Sequence, residues 1–240
     1  MNQCKITANV NSIETMGLVD GPGIRVVIFL QGCNLRCLYC HNPETWSCDL
    51  KNMMTVDEVV DKVLKYKNYI IKNGGVTFSG GEPLLQCEFI CECSKKLKKE
   101  GIHICVDTSG IGRYSDGLFD LVDLFIVDVK SIYDEEYKYI TGRDIVNFNN
   151  FMDALQRKNK KIWIRQVIVP SINDDDKHIV DLANYVNNLN GVEKVELLPY
   201  HTLGKEKYEK LKIKYRLEGI DNLSKEKIDY LRKVLKDNLR

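Results

Sequence analysis

The feature that most constrains the fold of this chain is a regular alternation of short apolar segments with helical patterns. The apolar segments are rich in β-branched residues and are apolar on both faces, which is typical of strands buried in a parallel sheet. Residues 13–23 precede the first of them and are rich in turn formers. The predicted strands are residues 24–30, 76–78, 102–106, 124–129, 161–169 and 192–198.

Helical patterns fill the stretches between these strands, and the first begins with Thr55 and Glu58 at the spacing of a capping box. They cover residues 55–71, 84–100, 116–121, 135–140, 148–158, 177–188 and 224–239. Parallel strands joined by helices require right-handed crossovers. The alternation therefore predicts an α/β fold of six parallel strands, either an open sheet or an incomplete barrel, and 240 residues suit one domain over residues 1–240.

Charge and cysteine usage narrow the classes of function. The net charge is +1 and no block of like charge stands out, so neither a nucleic acid nor an anionic membrane is expected as a partner. No apolar run is long enough to cross a bilayer and residues 1–10 lack the apolar core of a leader, which favours a cytoplasmic location. Nine cysteines, three of them within eight positions, indicate thiolate ligands in a reducing compartment rather than disulfides.

Three cysteines, Cys33, Cys37 and Cys40, follow the first predicted strand with CxxxCxxC spacing. Three thiolates can bind three irons of a cubane iron-sulfur cluster and leave the fourth iron open to a small molecule. A structural zinc site would need a fourth ligand, for which His41 is the candidate. Adjacent residues rarely complete a tetrahedron with two loop cysteines, so the spacing favours a 4Fe-4S cluster held by catalytic cysteines over a zinc-stabilised binding module.

Other reactive side chains also follow the ends of strands. In βα barrels the active site is built at the carboxyl ends of the strands, so their positions favour the incomplete barrel over the open sheet. Asp107 and Asp128 would repel each other at close range, and together with Thr108 they are the candidate ligands of a monovalent or alkaline-earth cation. Arg165 lies in a buried strand and needs either a structural carboxylate or an anionic ligand. The full set of candidate groups is Arg165 within its strand and, at or just after strand ends, Gly80, Gly81, Glu82, Asp107, Thr108, Asp128, Lys130 and His201.

The three cysteines, with Tyr39 directly before the last, resemble the signature of the radical S-adenosylmethionine (SAM) superfamily. The resemblance implies that the methionine part of SAM chelates the open iron. It also implies that an electron from the cluster splits SAM into methionine and a deoxyadenosyl radical, while the protein supplies orientation and excludes water. The residues to which it gives a cofactor-binding role are Tyr39, Cys40, His41, Gly80, Gly81, Glu82, Asp128, Val129, Lys130, Arg165 and His201.

A closer resemblance, to the activases of glycyl-radical enzymes, covers essentially the whole chain. It is carried by residues 13–15, 19–25, 29–33, 41–46, 99–103, 163–165 and 196–205. Many such activases have a cysteine-rich insert between the cluster loop, residues 32–42 with the three cysteines, and the GGE motif, Gly80-Gly81-Glu82. In that interval this chain has only Cys48. Ribonucleotide reductase activases also lack the insert but are shorter. The type that acts on pyruvate formate-lyase is therefore the best match, with a separate flavodoxin- or ferredoxin-type protein as reductant.

This resemblance implies that the radical abstracts hydrogen from the α-carbon of one glycine in pyruvate formate-lyase. Asp20 and Arg25, expected beside the cluster loop, are the candidates for contact with the partner's glycine loop. The enzyme is expected to be a monomer. The alternative is a radical SAM enzyme that activates a different glycyl-radical enzyme or acts on a small molecule. The cysteines without an assigned role are Cys4, Cys48, Cys87, Cys91, Cys93 and Cys105.

Overall fold

A computed structural model describes residues 5–50 and 52–240 of the chain. Cys4 lies outside the described residues. Eight strands are present in these ranges: β1 (Thr7–Gly17), β2 (Arg25–Leu30), β3 (Met53–Thr55), β4 (Gly75–Gly80), β5 (Ile104–Thr108), β6 (Leu124–Asp128), β7 (Ile162–Ile168) and β8 (Val192–Pro199).

Helices connect most of the strands. They are α1 (Val56–Leu64), α2 (Lys67–Ile70), α3 (Cys87–Lys99), α4 (Asp116–Leu121), α5 (Asp134–Thr141), α6 (Val146–Arg157), α7 (Asp176–Asn187), α8 (Lys205–Lys210) and α9 (Lys225–Asn238), with short 3₁₀ helices at Pro43–Trp46, Pro83–Gln86 and Thr202–Gly204. The predicted capping box starts α1, since the Thr55 hydroxyl accepts from Glu58 N–H and the Glu58 carboxylate accepts from Thr55 N–H. Within the described residues, no helix has the length and apolar character needed to cross a membrane.

The strand order is β3-β1-β2-β4-β5-β6-β7-β8. β2 pairs with β4, β4 with β5, β5 with β6 and β7 with β8, and each of these pairs is parallel. The order begins at β3 and ends at β8 without closing, so the predicted α/β fold with parallel strands in an incomplete barrel is confirmed.

The sequence did not predict β1 and β3. β1 pairs antiparallel with β2 on one side and with β3 on the other, so residues 13–17 belong to a strand and not to a turn. Its buried side chains are confined to Ala8, Asn9 and Val10, and the rest of β1 is polar or partly exposed. A strand that is held mainly by backbone hydrogen bonds to its neighbour leaves little trace in the pattern of apolar residues.

The chain divides into two compact units. Among the described residues, the first contains positions 5–34 and Thr45–Val127, and the second contains Leu35–Glu44 and Asp128–Arg240. Fully buried side chains of β2, β4 and β6 form the core of the first, among them Ile28, Phe78 and Phe125. In the second, Tyr137, Phe148, Phe151 and Leu231 are buried, and α7 packs against α9. The single domain over residues 1–240 stays a prediction.

Candidate active site

The three loop cysteines are divided between the two units, Cys33 in the first and Cys37 and Cys40 in the second. Cys33 and Cys40 are half-buried, and Cys37 is buried. Burial raises the pKa of the Cys37 thiol to about 11, although the nearby Lys130 acts in the opposite direction. A buried sulfur is therefore neutral unless a metal takes the place of its proton, which is the chemistry of a ligand thiol.

The two glycines of the GGE motif let backbone segments approach closely. Gly80 has φ +113°, and a Cβ there would lie 2.3 Å from the Leu30 carbonyl oxygen. A Cβ at Gly81 would lie 2.2 Å from the Gly32 carbonyl oxygen and 3.2 Å from Cys33 Cβ. Both sites exclude any larger residue, because real Cβ atoms do not approach other atoms so closely. The motif therefore supports the start of the cluster loop, and backbone contact of Gly80 and Gly81 with the cofactor stays a prediction.

Glu82 is 1% exposed and serves as an internal acceptor. Its Oε1 accepts from the Thr108 hydroxyl at 2.6 Å and from Leu84 N–H at 3.0 Å. Its Oε2 accepts from the Ser109 hydroxyl at 2.5 Å and from Ser109 N–H at 2.9 Å. Burial raises the pKa of Glu82, and these four donated bonds oppose that shift. The carboxylate thus ties the GGE motif to the end of β5, and contact between Glu82 and the cofactor stays a prediction.

The expected cation ligands have other partners within their own units. In the first unit Ser79 Oγ donates to Asp107 at 3.0 Å, and the Thr108 hydroxyl donates to Glu82. In the second, Asp128 pairs with Lys130. Within residues 5–50 and 52–240 no three His, Cys, Asp or Glu side chains are placed to hold a single metal ion. A cubane cluster is a different case, since each thiolate binds its own iron. The cation stays a prediction.

Lys130 is the main positive charge beside the loop in the second unit. It is buried, lies 2.7 Å from an Asp128 carboxylate oxygen, and has its ammonium 5.7 Å from the centre of the Tyr39 ring. Burial opposes its charge, but the attraction of Asp128 and of the Tyr39 and Cys37 side chains raises the pKa of Lys130 well above its ordinary value. The Tyr39 hydroxyl is buried without a hydrogen-bond partner among the described residues. Lys130, paired with Asp128, thus lies against Tyr39 of the cluster loop.

His41 and His201 form a stacked pair in the second unit. Their ring centres are 4.0 Å apart at 26°, and His41 Nε2 lies 3.1 Å from the His201 carbonyl oxygen. Burial lowers the pKa of His41. His201 Nδ1 is buried and has no hydrogen-bond partner in the part of the chain that the structure describes. A buried polar atom needs a partner, so this nitrogen is free to bond with a ligand.

Residues 201–218, named the clamp segment here, hold the end of the cluster loop. The Tyr208 hydroxyl donates to the Cys40 carbonyl at 2.9 Å, and Lys207 lies 2.6 Å from Glu44 Oε1. Arg216 donates to the Arg36 carbonyl. A Cβ at Gly204 would lie 3.1 Å from His41 Cα, so a side chain there would fit only if His41 shifted slightly. Apart from His201, the sequence did not predict these residues. A sequence feature that could have indicated this segment is the presence of two tyrosines, Tyr208 and Tyr215, within a charged stretch.

The middle of the loop is held by the end of α5. Arg36 N–H donates to the Thr141 carbonyl at 2.9 Å, and Leu38 N–H donates to the Ile140 carbonyl at 3.0 Å. The last carbonyls of a helix have no partner within the helix, so the loop satisfies them. The helix ends at Gly142, which has φ +75° in the left-handed conformation typical of a C-terminal glycine.

Arg165 has a structural carboxylate, one of the two partners that the sequence left open. Its Nε donates to Glu196 Oε2 at 3.1 Å across the β7–β8 pair, and Lys194 binds the other oxygen of Glu196 at 2.6 Å. Val129 N–H donates to the Arg165 carbonyl at 2.8 Å. Contacts of Arg165 and Val129 with the cofactor stay predictions.

The expectation that Arg25 lies beside the cluster loop is wrong, whereas contact of Asp20 with the partner's glycine loop stays a prediction. Arg25 begins β2, whereas Cys33 follows its end, and five residue steps along a strand span roughly 16 Å. Arg25 is fully buried and donates to the Thr77 hydroxyl at 2.6 Å, the Pro22 carbonyl at 2.9 Å and the Val76 carbonyl at 2.5 Å. The side chain thus holds the Gly-Pro-Gly turn against β4.

Comparison with known proteins adds to this geometry. The profile of the Radical SAM superfamily matches residues 27–183. The pyruvate formate-lyase-activating enzyme of Clostridium pasteurianum is 48% identical over 237 residues, which cover 98% of this chain and 99% of that protein. The enzyme of the same name from Staphylococcus epidermidis is 42% identical over 226 residues, 90% of both chains. A crystal structure of a domain of pyruvate-formate lyase-activating enzyme from Bacteroides vulgatus matches with a TM-score of 0.56 and 25% identity, over 69% of this chain and 94% of that one.

Proposed function

The chain belongs to the radical SAM superfamily and, within it, to the family of pyruvate formate-lyase-activating enzymes, and from that membership we infer that it installs the glycyl radical of pyruvate formate-lyase. When bound, a reduced 4Fe-4S cluster and SAM supply the chemistry, an electron that splits SAM and a deoxyadenosyl radical that takes hydrogen from a glycine of the partner. The protein residues bind, orient and shield these groups.

The observation that carries the proposal is a similarity that spans 98% of this chain, together with a loop whose donor set fits the cluster. Cys33, Cys37 and Cys40 would hold the three irons. Burial disfavours the Cys37 thiolate, and the nearby Lys130 acts in the opposite direction and favours the thiolate that a metal binds. Lys130 supplies a fixed positive charge beside this part of the loop.

Two buried polar atoms would meet the organic cofactor in the second unit. The Tyr39 hydroxyl and His201 Nδ1 have no partner among the described residues, and both belong to the set expected to bind SAM. The stacked ring of His41 fixes the orientation of His201. We assign His201 to the adenosine part of the cofactor, and Lys130, with Asp128, to its carboxylate and ribose.

Finer parts of the proposal come from the sequence alone. They are a flavodoxin- or ferredoxin-type reductant, a monovalent cation near Asp107, Thr108 or Asp128, a monomeric enzyme, and a cytoplasmic location in which thiols stay reduced. With Arg25 buried, Asp20 alone is retained as the candidate for contact with the partner's glycine loop.

Cysteine variants test the ligand assignment. Cys33→Ala, Cys37→Ala and Cys40→Ala are each expected to lose the four-iron cluster and to abolish SAM cleavage, because each removes a ligand for one iron. Cys48→Ala is the matched control, since Cys48 is an exposed cysteine in the first unit. Iron content, visible absorbance and release of deoxyadenosine measure the outcome. Full activity in one of the three loop variants, or loss of the cluster in the control, would contradict the assignment.

The identity of the partner is tested separately. The cluster-loaded enzyme mixed with pyruvate formate-lyase, SAM and a chemical reductant is expected to give a glycyl doublet in electron paramagnetic resonance. Cleavage of SAM without that doublet would favour the alternative, a different glycyl-radical enzyme or a small molecule as substrate. A colourless protein after anaerobic purification would instead favour a zinc-stabilised module.

A further inference from the structure

The outer side of the clamp segment carries an excess of positive charge. Residues 201–218 contain six lysine or arginine side chains and three glutamates, a net charge of +3 in a chain whose net charge is +1. Lys205 is paired with Glu218 at 2.6 Å and Lys207 with Glu44 at 2.6 Å. The first pair lies within the segment, and the second joins it to Glu44. Of the other cations, Arg216 donates to the Arg36 carbonyl.

Three of the remaining cations, Lys210, Lys212 and Lys214, are exposed, and none of them forms an ion pair within the part of the chain that the structure describes. Leu203 and Leu211 lie in the same segment and are 81% and 42% exposed. Exposed positive charges together with exposed apolar side chains are the composition of a surface for a transient, charge-guided protein complex.

The inner side of the segment lies directly on the cluster loop. Tyr208 donates to the carbonyl of Cys40, one of the proposed iron ligands, and Arg216 donates to the carbonyl of Arg36, next to Cys37. Packed tyrosine rings hold the segment from within. The rings of Tyr208 and Tyr215 pack edge to face with centres 4.9 Å apart, and the hydroxyls of Tyr215 and Tyr200 are 2.6 Å apart.

We propose that the clamp segment is the docking surface for an acidic one-electron carrier protein that reduces the cluster. The inference rests on the proposed function, which requires a supply of single electrons to the loop. One electron leaves the carrier and reduces the oxidised cluster, and no atom is transferred. A carrier needs only to approach the outside of the loop, whereas a protein substrate must bring its glycine to the cofactor itself. The patch on the loop's covering segment therefore fits the carrier, and its charge fits an acidic one.

The test compares two triple charge reversals in the cluster-loaded enzyme. The first is Lys210→Glu, Lys212→Glu, Lys214→Glu in the clamp segment. The control is Lys225→Glu, Lys233→Glu, Lys236→Glu, three exposed lysines of α9 that form no ion pair within the described ranges. Both variants undergo the same change in net charge, so a difference between them reports the effect of where the lysines lie.

Two readouts are measured at low ionic strength, with whichever of an acidic flavodoxin and an acidic ferredoxin reduces the wild-type enzyme faster. The clamp variant is expected to bind the carrier about tenfold more weakly and to be reduced by it about tenfold more slowly in stopped flow, since steering by charge changes association rates by 10-fold to 1000-fold. Reduction by dithionite is expected to stay within about twofold, because a small reductant does not need the docking surface. The control is expected to stay within twofold in both assays.

Unchanged binding and reduction by the carrier in the clamp variant would overturn the proposal, as would an equal loss in the control. An equal loss with carrier and with dithionite would also overturn it, since the lysines would then act on the cluster or the fold. Formation of the glycyl radical with dithionite tests the proposed function independently, so the failure of one inference can be told from the failure of the other.

Discussion

Replacing Glu82 with glutamine tests the internal network at the GGE motif. Two of the four donors to its carboxylate are hydroxyls, which can rotate, and two are backbone N–H groups, Leu84 on Oε1 and Ser109 on Oε2, which cannot. In glutamine one of these oxygens becomes an NH₂ group, so in either orientation one fixed N–H faces another donor. The variant loses one bond to a charged acceptor and leaves a buried donor unsatisfied, a cost of about 2–4 kcal/mol.

The expected result is a lower unfolding temperature. For chains of 150–250 residues 1 kcal/mol corresponds to about 2–4 °C, so the drop should be roughly 4–16 °C. Calorimetry of the cluster-loaded protein under anaerobic conditions, at one scan rate for all variants, measures it. Glu14→Gln is the matched control, because Glu14 is exposed on β1 and should change the temperature by less than about 2 °C.

A Glu82→Gln variant that unfolds within 2 °C of the wild type would refute the claim that Glu82 stabilises the protein through its buried hydrogen bonds. If the same variant also lost affinity for SAM, Glu82 would be a cofactor ligand, as the sequence predicted. A large loss of stability together with normal SAM affinity in the folded fraction would show that the carboxylate supports the motif from behind.

Two further predictions concern the support of the cluster loop. Gly81→Ala should lower iron content well below that of the wild type after reconstitution, because a Cβ would lie 2.2 Å from the Gly32 carbonyl oxygen and displace the backbone next to Cys33. Gly117→Ala is the control and should bind a normal amount of iron, since a Cβ there has only a 3.9 Å contact. Tyr208→Phe should lower stability by about 1 kcal/mol and make the cluster potential more negative, because it removes the donor to the Cys40 carbonyl while the ring stays packed. Thermal unfolding and a redox titration followed by electron paramagnetic resonance check it, and an unchanged potential would contradict it.

The sequence predicted the elements whose side chains form the core. Strands β2 and β4–β8 were expected within about two residues of their ends, because buried apolar runs and helical periodicity depend directly on burial. β1 and β3 are held at the polar edge by backbone pairing, and the short helix α8 lies in a charged stretch with only Tyr208 buried. Periodicity carries no signal for such elements, which is why they were missed.

For the candidate site, the sequence identified where reactive groups follow strands but not what each group touches. Lys130 pairs with Asp128, two residues away, and Arg165 pairs with Glu196, its register partner on the neighbouring strand. Such pairings depend on side-chain reach and strand register, which motif spacing does not specify. The misplacement of Arg25 has the same origin, since nearness in sequence to the cluster loop was taken for nearness in space.

The clamp segment could not be predicted from local patterns because its contacts join residues far apart in the chain. Tyr208 and Cys40 are separated by 168 positions, and Arg216 and Arg36 by 180. A loop without regular secondary structure must find partners for its backbone groups elsewhere. Here the carbonyls at the end of α5 take the N–H groups of Arg36 and Leu38, while the clamp segment donates to the loop's carbonyls. These loop N–H groups are thus used by the helix, and positive charge near Cys37 has to come from side chains, chiefly Lys130. The same segment exposes Lys210, Lys212 and Lys214, the lysines on which the docking proposal rests.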